Sequence, residues 1–147
     1  MNTPAEPDEQ GRLWWAQAVT PMERQRLLIV DDEPKLTEVL KGFLARRGFE
    51  VWTACKGEDA LSLIQTHQPD VLLLDLHLGG CGLQSLDVLR KTTAVSPNTT
   101  VIVISACTDT DTKAEVLRLG ARRYLDKPLD LEKLVQTIQD LAVPSHS

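Results

Sequence analysis

The sequence has no long apolar run, no CxxC pair and no excess of basic residues. A membrane-spanning helix needs about 20 consecutive apolar residues, and no stretch of this chain approaches that length. Glu6, Asp8 and Glu9 are acidic, and the apolar patch near them is too short for a secretory signal. The formal charge of −5 argues against a general nucleic-acid-binding surface. These absences predict a cytoplasmic protein that binds neither membranes nor nucleic acid directly.

Cysteine is scarce, and its spacing indicates no disulfide framework. Cys55, Cys81 and Cys107 cannot all be paired with one another, which favours a reducing cytosol. Cys107 lies two residues after Ser105, and Cys81 is expected at the same edge of the fold. A redox role for these two thiols is an alternative, although small neutral packing residues are the simpler interpretation.

Short apolar strands alternate with amphipathic helices from residue 26 onward. The runs at Leu27–Val30, Val71–Leu74 and Val101–Ile104 are apolar on both faces, as in parallel sheets that helices cover. The alternating segment Phe49–Thr53 and the short segment Arg122–Asp126 supply two further strands. The sequence therefore predicts an α/β fold with a doubly wound five-stranded parallel sheet in the flavodoxin-like order 2-1-3-4-5.

The predicted helices carry turn residues and apolar faces. Pro34 suits the first turn of the first helix, where its missing N–H group is not needed. In the fourth helix Ala114 and Leu117 are expected to face inward, with Val116 as a further candidate, and Asp130 is expected to cap the fifth helix. The expected stripe of the first helix comprises Leu36, Val39, Leu40, Phe43 and Leu44.

Three segments are predicted: an N-terminal extension over residues 1–24, a folded domain over 25–142 and a tail over 143–147. Trp14 and Trp15 in the extension are costly to leave in water, since each carries a large apolar area. We therefore expect this segment to dock on its own domain or on a second copy, and a frayed terminus is the alternative.

Carboxylates follow two strands that the predicted order makes neighbours. Asp31 and Asp32 follow the first strand, and Asp75 follows the third. A loop cap would explain Asp75 alone, but this strand order opens a crevice between these carboxyl ends. Carboxylates that meet there repel one another unless a cation joins them, and oxygen ligands suit Mg²⁺. The sequence therefore predicts a magnesium site at this edge.

A hydroxyl and an ammonium group are expected at the same edge. Ser105 ends the fourth strand, and Lys127 follows the fifth strand and precedes Pro128. A metal and an ammonium would neutralise phosphoryl oxygens, a hydroxyl would donate a hydrogen bond, and a carboxylate can attack phosphorus. The edge is therefore predicted to bind a phosphoryl group.

These motifs, in this order and at these separations, resemble the receiver domains of two-component response regulators, of the single-domain, chemotaxis-regulator-like kind. The motifs are Leu-Leu-Ile-Val-Asp-Asp-Glu-Pro at 27–34, Asp75 after its apolar strand, Ser105 after Val-Ile-Val-Ile, and Tyr-Leu-Asp-Lys-Pro at 124–128. The resemblance covers about residues 26–141 and implies a signalling phosphoacceptor that catalyses only its own phosphorylation and dephosphorylation.

The resemblance implies a role for each acid at the edge. Asp75 matches the phosphoacceptor, which takes the phosphoryl group from a sensor histidine kinase or a histidine phosphotransfer protein. Asp32 matches the direct Mg²⁺ ligand, and Asp31 matches the acid that usually acts through a water. His77 would supply its backbone carbonyl to the metal.

The resemblance also implies a switch. Ser105 matches the hydroxyl that moves to the phosphoryl oxygen, and Tyr124 matches the aromatic residue that turns inward with it. Lys127 matches the lysine that contacts the phosphoryl group, and its bond to Pro128 is expected to be cis.

Output is expected through a protein partner or a self-dimer on the face of the fourth helix, fifth strand and fifth helix. Arg118, Arg122 and Arg123 flank this face, although a solvated surface is the simpler interpretation of such a cluster. No output domain is recognisable after residue 142, so a partner, an onward relay or a fragment of a larger regulator all remain open.

The loop after Asp75 departs from the family pattern, because Gly79 stands where receivers usually have proline. The family glycine that opens the next helix matches Gly82 in a shorter loop, or the loop is two residues longer if Leu86–Leu89 matches the helix start. A receiver-like module that binds partners without phosphorylation therefore remains an alternative. A haloacid-dehalogenase-like phosphohydrolase is disfavoured, since His77 stands where such enzymes need a second acid.

Overall fold

The computed structural model describes residues 25–77, 85–106 and 110–142, so the predicted extension and tail lie outside the described residues. Strands and helices alternate through these residues. They are β1 Arg26–Val30, α1 Pro34–Arg46, β2 Glu50–Ala54, α2 Gly57–His67, β3 Val71–Asp75, α3 Ser85–Val95, β4 Thr100–Ser105, α4 Thr110–Arg118, β5 Arg123–Asp126 and α5 Leu131–Ala142.

The five strands pair in parallel in the order β2-β1-β3-β4-β5, which confirms the predicted topology. Every residue of β3, the central strand, is buried. Its near-continuous apolar run fits this position, because a strand covered on both faces has no side that needs polar residues. The register pairs Val30 with Leu74, so the chain leaves β1 and β3 at the same edge.

Helices cover both faces of the sheet, as the doubly wound prediction requires. Leu28 and Val30 of β1 belong to one core cluster with residues of α2, α3 and α4. Leu27 and Ile29 belong to the other cluster with residues of α1 and α5. Alternate side chains of one strand point to opposite faces, so a strand apolar at every position joins two cores.

The expected inward faces of two helices are partly wrong. Val39 of α1 is 57% exposed, and Leu117 of α4 is 40% exposed. Ala114 is also exposed, and only Val116 of the three α4 candidates is buried. Consecutive residues of a helix are about 100° apart, so the face that buries Val116 turns Ala114 and Leu117 away from the core.

Helix ends follow the predicted turn chemistry. Pro34 opens α1, and the Lys133 amide donates to the Asp130 carboxylate at 3.2 Å, which caps α5 as expected. Gly48 and Gly120 follow α1 and α4 with φ angles of +97° and +121°. None of the helices in the three described segments has the length and apolar content that crossing a membrane requires.

Gly120→Ala is expected to destabilise the protein more than Gly48→Ala. Both changes strain a backbone with positive φ, at a cost of about 1–3 kcal/mol, but a Cβ at Gly120 would also lie 2.7 Å from Thr93 Cγ2. At Gly48 the added Cβ meets nothing within 4 Å. The measurement is the free energy of unfolding of both variants by urea denaturation.

Thr93→Ser tests the cause of that difference. Serine lacks the Cγ2 atom but keeps the hydroxyl that donates to the Arg90 carbonyl oxygen at 2.8 Å. In a double-mutant cycle, Thr93→Ser should recover the additional loss in Gly120→Ala. The steric explanation would be contradicted by equal losses of stability in the two glycine variants. It would also be contradicted by an additional loss in Gly120→Ala that Thr93→Ser does not recover.

Candidate functional site

Three carboxylates meet where β1 and β3 leave the sheet. Asp31, Asp32 and Asp75 each offer one oxygen atom, and these atoms lie within 4.8 Å of one another. Asp31 and Asp75 are only 3% and 5% exposed, whereas Asp32 is exposed. Because β1 and β3 are neighbours in register, the predicted acids are brought together as the strand order required.

Lys127 brings an ammonium group to the same edge from the end of β5. Its amide donates to the Ser105 carbonyl oxygen at 2.9 Å, which fixes the start of the loop beside β4. Its Nζ atom lies 3.1 Å from an Asp31 oxygen, 3.7 Å from an Asp75 oxygen and 4.0 Å from a Glu33 oxygen. The bond to Pro128 is cis, which confirms the expectation from the resemblance.

Two of the carboxylates are oriented by their own turns. The Glu33 amide donates to Asp31 Oδ1 at 2.9 Å, and the His77 amide donates to Asp75 Oδ1 at 3.2 Å. Such bonds from an amide two residues on are typical of aspartates that open a turn. The imidazole-bearing residue His77 is itself exposed.

The acid cluster holds more negative charge than Lys127 neutralises. Burial raises the pKa of Asp75, and the charges of Asp31 and Asp32 raise it further, against the hydrogen bond from His77 and the charge of Lys127. Burial lowers the pKa of Lys127, but its hydrogen bond to Asp31 and the surrounding carboxylates outweigh that effect, and the pKa is raised. Ionisation of Asp75 is therefore less favourable than in water, and a further positive charge near the carboxylate would favour it.

These residues fit a hard divalent cation. The three clustered groups offer only oxygen atoms, two from buried and one from an exposed side chain, so water can complete the coordination. The raised pKa of Asp75 reflects its burial and the repulsion from Asp31 and Asp32, which a cation would relieve. The site thus has both the ligand type and the charge that the predicted Mg²⁺ needs.

The two predicted switch residues lie on β4 and β5. Ser105 is fully buried at the end of β4 and is paired in register with Asp126. Tyr124 is half-buried, and the Lys113 ammonium lies 5.9 Å from the centre of its ring. Ser105 thus lies on the strand next to β3, and Tyr124 lies on the strand beyond it, which Lys127 follows.

Sequence reasoning missed two neighbours of the site. Glu33 approaches Lys127, and Ser85 donates its hydroxyl to the Asp75 carbonyl oxygen at 2.7 Å. Glu33 directly follows the two predicted acids in the sequence, so its place near the site could have been predicted. Ser85 is ten residues after Asp75, and no sequence pattern links the two residues. The segment between His77 and Ser85 lies outside the described residues, so the two loop alignments both stay predictions. Gly79, Gly82, Cys81 and Cys107 lie outside the described residues.

Comparison with known proteins gives one family. The family model described as response regulator receiver domain matches residues 27–139. The chain is 39% identical over 114 residues to the protein PilH of Pseudomonas aeruginosa, which covers 77% of this chain and 93% of PilH. It is 35% identical to the regulatory protein AtoC of Escherichia coli over 78% of this chain but only 24% of AtoC. The chain thus spans about a quarter of AtoC but nearly all of PilH.

A solved structure adds a likeness in three dimensions. A response regulator protein from Burkholderia pseudomallei superposes with a TM-score of 0.74 at 26% identity, over 80% of this chain and 68% of that one. That crystal structure holds a phosphorylated aspartic acid, a calcium ion and citrate.

Proposed function

The chain belongs to the response regulator receiver domain family, and we propose that it works as a phosphoacceptor whose Asp75 takes a phosphoryl group. The observation that carries the proposal is the position of Asp75, whose carboxylate lies within 4.8 Å of two further acids and 3.7 Å from Lys127 Nζ. A carboxylate that can act as a nucleophile, two further acids that can ligate a metal and an ammonium group that can neutralise phosphoryl oxygens thus lie together at one edge of the sheet.

The proposed reaction transfers one phosphoryl group. A carboxylate oxygen of Asp75 attacks phosphorus, the bond from phosphorus to the donor breaks, and the donor leaves with that electron pair. The donor is a phosphohistidine of a sensor histidine kinase or of a histidine phosphotransfer protein. Water later attacks the phosphorus of the acyl phosphate, which releases inorganic phosphate and restores the Asp75 carboxylate.

The neighbouring residues each have a proposed part. Asp32 and the His77 carbonyl would hold Mg²⁺ directly, and Asp31 would hold it through a water. When bound, the metal supplies positive charge for the phosphoryl oxygens. Lys127 would supply a second positive charge, and the Ser105 hydroxyl would donate a hydrogen bond to the transferred group.

Output is proposed to pass through α4, β5 and α5. Ser105 would move toward the phosphoryl group and Tyr124 would turn inward, which changes the surface that a protein partner or a second copy binds. Exposed side chains on this surface support the proposal: Leu117 is 40% exposed, and Arg118, Arg122 and Arg123 are also exposed. We also propose residues 25–142 as the receiver domain. We propose the cytoplasm as its location, which the small number of cysteines and the lack of a CxxC pair in the sequence support.

The Burkholderia pseudomallei structure supports the chemistry by likeness, since that protein carries a phosphorylated aspartic acid and a divalent ion. The test is the intact mass of the full chain after incubation with acetyl phosphate and Mg²⁺. We expect a single phosphoryl adduct, which should not form when a chelator has removed the metal before acetyl phosphate is added. Absence of the adduct with both acetyl phosphate and a phosphorylated histidine kinase would overturn the proposal in favour of a phosphorylation-independent binding module.

A further inference from the structure

Ser85, the first residue of α3, is bonded to the main chain of the proposed phosphoacceptor. It is only 2% exposed, and its hydroxyl donates to the Asp75 carbonyl oxygen at 2.7 Å. The two residues lie on either side of the segment that joins β3 to α3. This bond therefore ties the start of α3 directly to the end of β3.

The peptide unit between Asp75 and Leu76 is bonded through both of its polar groups. Its carbonyl accepts the Ser85 hydroxyl, and its N–H group donates to the Ile104 carbonyl oxygen of β4 at 2.9 Å. A peptide unit is planar, so bonds at both of its polar groups fix its orientation. That orientation sets the directions in which the Asp75 side chain and the chain toward His77 leave β3.

Loss of the hydroxyl would change this arrangement. A buried carbonyl that loses its donor is desolvated without compensation, so the peptide unit is driven to rotate toward another donor. A rotation there would displace the two groups that flank it, the Asp75 carboxylate on one side and the His77 carbonyl on the other.

From these contacts we infer that Ser85 is a positioning residue for the Mg²⁺ and phosphoryl site, and that it acts through the Asp75–Leu76 peptide unit. The inference rests on the proposed function, because the groups that Ser85 would position are the proposed acceptor and the proposed carbonyl ligand. Removal of a group that orients metal ligands typically lowers metal affinity about 10–100-fold. Since Ser85 acts through the main chain, we expect the lower end of this range.

Thr92 offers a matched control on the same helix. It is fully buried, and within the described part of the chain its hydroxyl oxygen has no hydrogen-bond partner. Thr92→Val therefore removes a buried hydroxyl from α3 without removing a bond to the site. Ser85→Ala removes the hydroxyl that bonds Asp75, and Ser85→Thr keeps a hydroxyl at that position.

The experiment measures Mg²⁺ affinity by calorimetric titration and the rate of adduct formation from acetyl phosphate by intact mass, on the full chain. Ser85→Ala is expected to bind Mg²⁺ about tenfold more weakly and to form the adduct more slowly. Thr92→Val and Ser85→Thr are expected to keep the wild-type values. Circular dichroism verifies that each variant is folded.

Each outcome separates this inference from the proposed function. Unchanged Mg²⁺ affinity and adduct rate in folded Ser85→Ala, with only a lower melting temperature, would make Ser85 a structural residue and overturn the inference. A wild-type protein that binds Mg²⁺ but forms no adduct with acetyl phosphate or with a phosphorylated histidine kinase would overturn the proposed function alone, because the affinity still reports on Ser85. A wild-type protein that does not bind Mg²⁺ would overturn both.

Discussion

Asp75→Asn is expected to abolish the phosphoryl adduct completely, because the amide that replaces the carboxylate has no charged oxygen to attack phosphorus. The measurement is intact mass after incubation with acetyl phosphate and Mg²⁺. Asp70→Asn is the matched control, since Asp70 precedes the same strand and accepts a hydrogen bond from the Arg26 amide, which an asparagine oxygen can also accept. A full adduct on Asp75→Asn would place the acceptor elsewhere.

The same substitution should raise the melting temperature of the metal-free protein by a few degrees. Burial and the neighbouring Asp31 and Asp32 raise the pKa of Asp75, so its ionised form disfavours the folded state at neutral pH. As the pH falls through this raised pKa, Asp75 takes up a proton and the advantage of the asparagine variant should shrink. Thermal denaturation between neutral and acidic pH measures this trend, and an advantage that grows on acidification would contradict it.

Asp32→Asn is expected to weaken Mg²⁺ binding by on the order of 100-fold, the upper end of the range for loss of a group that only orients metal ligands. Asp32 is the exposed member of the three clustered acids, so its replacement leaves the part-buried ion pair of Asp31 and Lys127 in place. Calorimetric titration of the metal measures the effect directly.

Glu33→Gln is the control for this substitution. It removes the same charge one residue later, from a side chain that is not among the three clustered acids. Its Mg²⁺ affinity should fall far less than that of Asp32→Asn. Similar losses in the two variants would mean that the edge attracts the metal by its general negative charge rather than through a ligand at Asp32.

The strand order and the meeting of the acids could be predicted because they depend on patterns that a sequence displays. Buried strands are apolar at every position, and the rules for parallel crossovers leave few arrangements for five of them. Carboxyl ends of neighbouring strands then share one edge, so Asp31 and Asp75 had to lie close together. The motifs at 27–34 and 124–128 added the order in which these groups occur.

The remaining features depend on tertiary packing, which the identities of neighbouring residues in the sequence do not reveal. Asp31 and Asp32 are identical neighbours, yet one is buried and the other exposed, because successive residues leave a strand in different directions. Val39 and Leu117 are apolar like their buried neighbours but lie outside the faces that contact the sheet. The bond from Ser85 to Asp75 joins a side chain to a backbone carbonyl. Because every residue has such a carbonyl, the sequence does not show which one accepts a hydrogen bond from Ser85.

The ion pair between Asp31 and Lys127 joins residues that are 96 positions apart. A contact of such long range carries a large loop-closure entropy, which opposes its formation until other parts of the domain have brought its ends together. During synthesis all three acids have been added to the chain once β3 is made, but Lys127 is added only after β5. A chain that ends before residue 127 lacks this ammonium group, so we expect that a truncated domain would not form a stable acid cluster and would not carry out the proposed phosphorylation.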